Sequence, residues 1–241
     1  MGLSWSKIQA NRNAKALREL APKKTPGHDT PLPDLTRDTL TKALTNVAKY
    51  ISKKGGNVTI IAVGGAVNTI YLKSRTATHD LDFFNERLTT KDLELLVKGA
   101  REAAKYDHTL KEQWFNNRTV FFIPRDRRDA LTTEAYQQAD VIFRQPGLTV
   151  LAAPWYYALC CKMDRIAGGG LHPARSYDLD DAITYLRSYL RKRGQGTVSR
   201  TVIQSWFAQL SLSWSINVDQ VISRINSGYK ARYQVNFNVI T

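Results

Sequence analysis

Residues 58–84 read VTIIAVGGAVNTIYLKSRTATHDLDFF, and this stretch restricts the fold more than any other. Val58–Val63 (VTIIAV) is a continuous β-rich run without polar alternation, Thr59 its one hydroxyl, so the strand it forms is buried rather than half-exposed. Gly64-Gly65 breaks the strand and a short helix follows over residues 66–72. A glycine turn there lets a phosphate approach the main chain, and the helix start offers it unpaired N–H groups. A tight strand-to-helix connection would explain a lone Gly-Gly equally well. Residues 78–84 form a second strand, in which Asp80 and Asp82 flank Leu81. A period of two puts both carboxylates on one face and Leu81 in the core. Carboxylates so placed hold hard cations such as Mg²⁺ together with substrate phosphates. On its own an Asp-x-Asp is an ordinary solvated strand edge.

The rest of the chain alternates helix and strand before turning helical. Leu40, Leu44, Val47 and Ile51 recur at helical spacing and Gly55-Gly56 stops that helix. A helix from Thr89 or Thr90 to about Tyr106 carries Leu93, Leu96, Val97 and Ala100 on one face. Residues 118–123, 140–143 and 147–152 are short strand candidates, with a polar segment at 125–138. Pro154 opens a helix that Gly168-Gly169-Gly170 ends, and Leu179, Ile183, Leu186 and Leu190 define the next, closed by Gly194. Ser199 caps a further helix, and residues 218–229 make the last.

Charge limits the partners. The chain has 241 residues and a formal net charge of +14. Six basic residues against Glu19 and Asp29 give residues 1–30 a net +4, and eight against Asp219 alone give residues 187–241 a net +7. Such an excess favours nucleic acid, nucleotides or an anionic membrane surface. The adjacent Cys160 and Cys161 close no loop, which points to a reducing, cytoplasmic compartment. No apolar run approaches the roughly 18–20 residues of a membrane span. Met1-Gly2-Leu3-Ser4-Trp5-Ser6 fits a loose myristoylation pattern, for which the basic leader would supply a second, electrostatic membrane signal. Pro22, Pro26, Pro31 and Pro33 make a linker between that leader and the body.

With Gly64-Gly65, a helix, and then Arg75-x-x-Thr78-x-Asp80-x-Asp82, the chain resembles the polymerase-β-like nucleotidyltransferase superfamily, and among its members the minimal, abortive-infection-type nucleotidyltransferase toxins. The resemblance spans roughly residues 58–186. It implies an α/β (α+β) fold, a mixed sheet with flanking helices over residues 34–153, preceded by a leader and linker (1–33) and followed by a helical region (154–241). It also implies a nucleoside triphosphate held by Gly64 and Gly65, with Arg75 and Thr78 in the motif, and Mg²⁺ or Mn²⁺ held by Asp80 and Asp82. Such families carry a third carboxylate on a later strand. Asp140, ahead of Val141-Ile142-Phe143, is the best-placed candidate here, with Asp126 and Asp129 as alternatives. Helix 155–167 with Lys162 and Arg165, followed by Asp178-x-x-Asp181, resembles a pattern found after the core in these families. Lys162 and Arg165 share a helix face, where they would meet triphosphate or an RNA backbone, or equally would be surface charges on an apolar helix. Asp178 and Asp181 read as first-turn acids placed by the helix dipole rather than as site residues.

The expected activity is transfer of a nucleoside monophosphate from an NTP to a hydroxyl acceptor, with RNA first and a protein side chain second. Two rivals remain: an inactive relative that binds nucleotide or RNA, and a glycosyltransferase using Asp-x-Asp for a metal and a nucleotide-sugar. The glycine turn ahead of the acids argues against the last.

Overall fold

The computed structural model describes residues 33–111, 113–169 and 173–241. Contacts divide the chain into two compact units, one ending at Ala152 and the other running Ala153–Thr241. The leader up to residue 32, Gly2 included, lies outside the described residues.

The first unit runs β1 (Leu35–Thr36), α1 (Arg37–Lys53), β2 (Val58–Val63), a short turn α2 (Gly65–Val67) that widens into a π-helix (Asn68–Leu72), β3 (Ala77–Thr78), β4 (Leu81–Phe84) and α3 (Thr90–Tyr106). It continues through β5 (Phe115–Asn116), two 3₁₀ turns (Arg118–Phe122 and Arg125–Arg127), α4 (Arg128–Gln138), β6 (Val141–Gln145) and β7 (Leu148–Ala152). Five strands form one mixed sheet in the order β5-β4-β2-β7-β6. β2 lies at its centre, antiparallel to β4 and parallel to β7, and Ile60, Ile61 and Ala62 have no exposed surface. That accounts for the β-rich run without polar alternation: Ile60, Ile61 and Ala62, in the middle of the strand, face no water.

α1 and α3 pack on each other through the faces their spacing predicts. Leu40, Leu44, Val47 and Ile51 are buried on α1, and Leu93, Leu96 and Val97 on α3. Gly99 brings α3 against Val47. Thr89 starts α3 with a capping box: its side chain accepts from the Asp92 N–H, and the Asp92 carboxylate accepts from the Thr89 N–H at 2.9 Å. Between β6 and β7, Gly147 (φ +97°) turns so close to the Ala48 carbonyl that no Cβ would fit.

Two local readings are corrected, and the polar segment at 125–138 gains a helix. The strand expected over residues 78–84 is broken at His79-Asp80. β3 pairs with β1, outside the main sheet, and pairing with β2 covers only Asp82 to Phe84. Residues 118–123 form no strand. The Asn116 side chain accepts from the Arg118 N–H at 2.9 Å, an Asx-type turn that ends β5, and the chain curls into a 3₁₀ helix. Within 125–138, α4 forms with only Leu131, Thr132 and Ala135 buried, too narrow an apolar face to register as helical periodicity.

The second unit is helical: α5 (Trp155–Ala167), α6 (Asp178–Arg193), α7 (Arg200–Gln209) and α8 (Ile216–Tyr233). Pro154 precedes α5, Gly168 and Gly194 close α5 and α6 in the left-handed conformation, and the Ser199 side chain accepts from the Val202 N–H. Its aromatic residues pack on one another: Trp206 meets Tyr156 at 5.4 Å and Tyr189 at 4.8 Å, and Trp155 stacks on Tyr185 at 6.1 Å. Tyr156, Trp206 and Trp214 thus serve as packing partners. Burial pushes the Cys161 thiol up to about 11 and raises that of Cys160, so neither is a thiolate at neutral pH. Among the described residues, no helix is long and apolar enough to cross a membrane.

Candidate functional site

The glycine turn at the end of β2 is built from both sides. Gly64 has φ +70° and ψ −139°, a conformation that favours glycine, and a Cβ there would meet nothing within 4 Å. The side-chain direction at Gly64 is therefore open. Gly65 is the opposite case. A Cβ on it would overlap the Thr78 Oγ1 and come within 3.4 Å of the Arg75 guanidinium. The two glycines are needed for different reasons, one for a backbone angle and one for close packing.

Asn68, which sequence reasoning did not single out, holds this turn together. It is fully buried, and its amide donates to the Gly64 carbonyl at 3.2 Å. The Ser74 hydroxyl donates to its Oδ1 at 3.0 Å, and the Ser74 N–H donates to its carbonyl at 3.0 Å. One side chain thus ties the start of the helical segment to the loop that leads to Arg75 and Thr78. The i→i+5 bonding of residues 68–72 is of the kind that recurs at functional sites.

The strand register places the acids. Asp82 pairs with Val63, the residue before Gly64, and Leu81 beside it is fully buried. Asp82 and Asp80 are half-buried. Asp80 lies in the break ahead of β4, outside the ladder. Arg75, Thr78, Gly64, Gly65 and Asp82 therefore gather at one end of β2 and its neighbour β4.

Asp140 does not join them. Its carbonyl accepts from Ala152 N–H, which sets it level with the end of β2, but β6 is three strands from β4. At the usual strand spacing that separation is roughly 14 Å, too far for one cation to bridge Asp82 and Asp140. The position in register with Asp82 on the adjoining strand is Asn116. Asn116 is buried, its amide donates to the Gln113 carbonyl at 3.2 Å, and its Oδ1 accepts from Arg118. Asp126 is exposed, and Asp129 is exposed with its carboxylate 4.0 Å from Arg87. Among the described residues, no three His, Cys, Asp or Glu side chains come together as a metal group. The donor set left at this end is Asp82, with Asp80 in the break just ahead of it. It suits a hard cation that keeps waters and shares phosphate oxygens, and it does not suit a closed protein cage.

Lys162 is occupied elsewhere. Lys162 is 7% exposed, and its ammonium lies 2.5 Å from Asp178 and 2.8 Å from Asp181, both buried. Arg165 reaches the same Asp178 oxygen at 3.7 Å, and the Arg175 N–H donates to the other at 2.9 Å. Burial pushes the Asp178 carboxyl up, but the Arg175 N–H and the Lys162 ammonium more than reverse this and hold it below the ordinary range. Two carboxylates and two cations balance, and they tie α5 to the start of α6. This arrangement corrects the assignment of Lys162 to triphosphate: its charge already has two buried partners.

A cavity of about 600 Å³ lies over the β2-β7-β6 part of the sheet, lined by Thr59, Thr149, Leu151, Arg144 and Tyr136 among others. None of the glycine-turn or Asp-x-Asp residues lines it.

No curated protein and no solved structure matches the chain. A family model described as a domain of unknown function, DUF7582, matches residues 34–236, so most of the sequence, from just ahead of β1 to beyond the last helix, belongs to that family.

Proposed function

We propose that this chain is a metal-dependent nucleotidyltransferase that moves a nucleoside monophosphate from an NTP to a hydroxyl acceptor, RNA above all. The observation that carries the reading is the packing of Gly65 under Thr78 and Arg75 with Asp82 one strand away, in register with Val63. Gly64 and Gly65 bring main chain to the triphosphate, and Arg75 adds a cation beside it. Asp80 and Asp82 hold Mg²⁺ or Mn²⁺, which when bound neutralises phosphate charge. The acceptor oxygen attacks the α-phosphorus, the bond to the β-phosphate oxygen breaks, and pyrophosphate leaves. The hydroxyl proton passes to a carboxylate or to water.

A second reading, binding without transfer, is favoured by one observation: Asn116 occupies the strand position beside Asp82, and an amide cannot act as a general base. Incubation with α-labelled NTPs, Mg²⁺ and total RNA separates the two. Label in RNA that vanishes in Asp80→Asn/Asp82→Asn supports transfer. Metal-dependent NTP binding with no label in any acceptor supports the binding protein, and no NTP binding removes both.

A further inference from the structure

The turn after β5 exposes two adjacent phenylalanines, Phe121 at 68% and Phe122 at 55%. Water-facing aromatic pairs of this kind are unfavourable unless something covers them. The turn that carries them is held firmly from behind. Arg128 donates to the Val120 carbonyl at 2.9 Å and to that of Ile123 at 3.3 Å, and Thr119 and Ile123 are buried. Both rings are therefore presented outward on a fixed turn. Residues 118–128 also contain four arginines, Arg118, Arg125, Arg127 and Arg128, against Asp126 alone. Arg127 pairs with Glu134 at 3.6 Å and Arg128 is used by the turn, leaving Arg118 and Arg125 as the cations of this surface.

Position adds a third observation. The turn grows out of β5, where Asn116 is in register with Asp82. Phe121 is five residues further on, so it lies within roughly 17 Å of Asn116, a distance that a few nucleotides span.

We propose that Phe121 and Phe122 form a stacking platform for single-stranded RNA, with Arg118 and Arg125 on its phosphates, and that the platform leads the strand to the Asp80/Asp82 end of the sheet. The last clause rests on the transferase reading. Flat aromatic rings beside cations are the chemistry of sequence-tolerant single-strand binding. A lipid surface would also accept two phenylalanines, but it gives no reason for the turn to spring from the strand beside Asp82.

The test is the affinity of the full chain for a fluorescein-labelled oligouridylate, read by anisotropy at several salt concentrations. Phe121→Ser/Phe122→Ser should lose about tenfold or more in affinity while its circular dichroism and melting temperature hold. Phe121→Trp/Phe122→Trp should keep the affinity, and Arg118→Gln/Arg125→Gln should flatten the salt dependence. Phe237→Ser, an exposed aromatic in the second unit, should bind as the unaltered chain does. Unchanged affinity in the double serine variant overturns the platform. So does capture by vesicles of equimolar phosphatidylcholine and phosphatidylserine that depends on the same phenylalanines without any RNA binding. Mg·ATP binding, measured in parallel, keeps the two readings apart. Phe-dependent RNA binding without ATP binding overturns the transferase and leaves the platform standing.

Discussion

Asn116 sits in register with Asp82 across the parallel β4–β5 pair, so an amide stands where the proposed metal site would take a third carboxylate. Asp140 lies on the far side of β2, at the opposite edge of the sheet. Asp140→Asn should therefore leave the Mg²⁺ dependence of NTP binding unchanged, whereas Asp82→Asn should weaken it at least tenfold. Titration of both variants with Mg·ATP by calorimetry checks this. Equal losses in the two would put Asp140 back in the site.

Gly64 and Gly65 should fail differently when given a methyl group. Gly64→Ala meets open space, so its cost is backbone strain alone, about 1–3 kcal/mol. Gly65→Ala meets Thr78, and overpacking of this kind costs about 1–3 kcal/mol. Removing the Thr78 hydroxyl and methyl with Thr78→Ala should recover part of the second loss and none of the first. The Thr78 Cβ, 2.8 Å from the added carbon, limits the recovery. Urea unfolding of the single and double variants gives the coupling.

Lys162→Met should destabilise the fold by about 3–5 kcal/mol at neutral pH, because it leaves buried Asp178 and Asp181 without their ammonium. The sign of the pH dependence then changes. In the native chain Asp178 is held below its ordinary range, so its contribution is present at neutral pH and is lost as pH falls through the acid range. Without Lys162 burial weighs more on Asp178, its carboxyl protonates more readily, and acidification should narrow the gap between variant and parent. Melting temperatures from pH 7 down to about 4 measure it.

Asn68→Leu keeps the buried volume but removes the bonds to Gly64 and Ser74. It should cost about 1–3 kcal/mol, chiefly from the Ser74 hydroxyl that loses its acceptor, since the Gly64 carbonyl still accepts from the main-chain N–H of residue 68 at 3.4 Å. It should also weaken Mg·ATP binding by more than the lost stability explains, since it positions the turn. Binding measured well below the melting temperature separates the two effects.

What could be read from the sequence is what local chemistry decides. The β-rich run of β2, the burial of Leu81, the Thr89 cap and the glycine ends of α5 and α6 each depend on a few neighbouring residues. The place of Asp140 is not legible in the sequence because strand order is a long-range property: nothing near Val141 signals that β6 lies outside β7 rather than beside β4. Lys162 looked available because its partners, Asp178 and Asp181, are a helix away in sequence. Asn116 and Asn68 carried no signal at all, since a buried asparagine that satisfies main-chain groups looks like any loop asparagine until its neighbours are known. The 3₁₀ turn at Arg118–Phe122 was hidden by its composition, Val-Phe-Phe-Ile being as good a strand sequence as any in the chain.

The most direct test of the account is transfer itself. The full chain is incubated with each α-labelled NTP, Mg²⁺ and total RNA, beside Asp80→Asn/Asp82→Asn and a reaction containing chelator. The account predicts RNA labelled by the parent chain and unlabelled RNA in the other two. Label incorporated equally by the double variant, or bound NTP that is indifferent to both aspartates and to the metal, would contradict it.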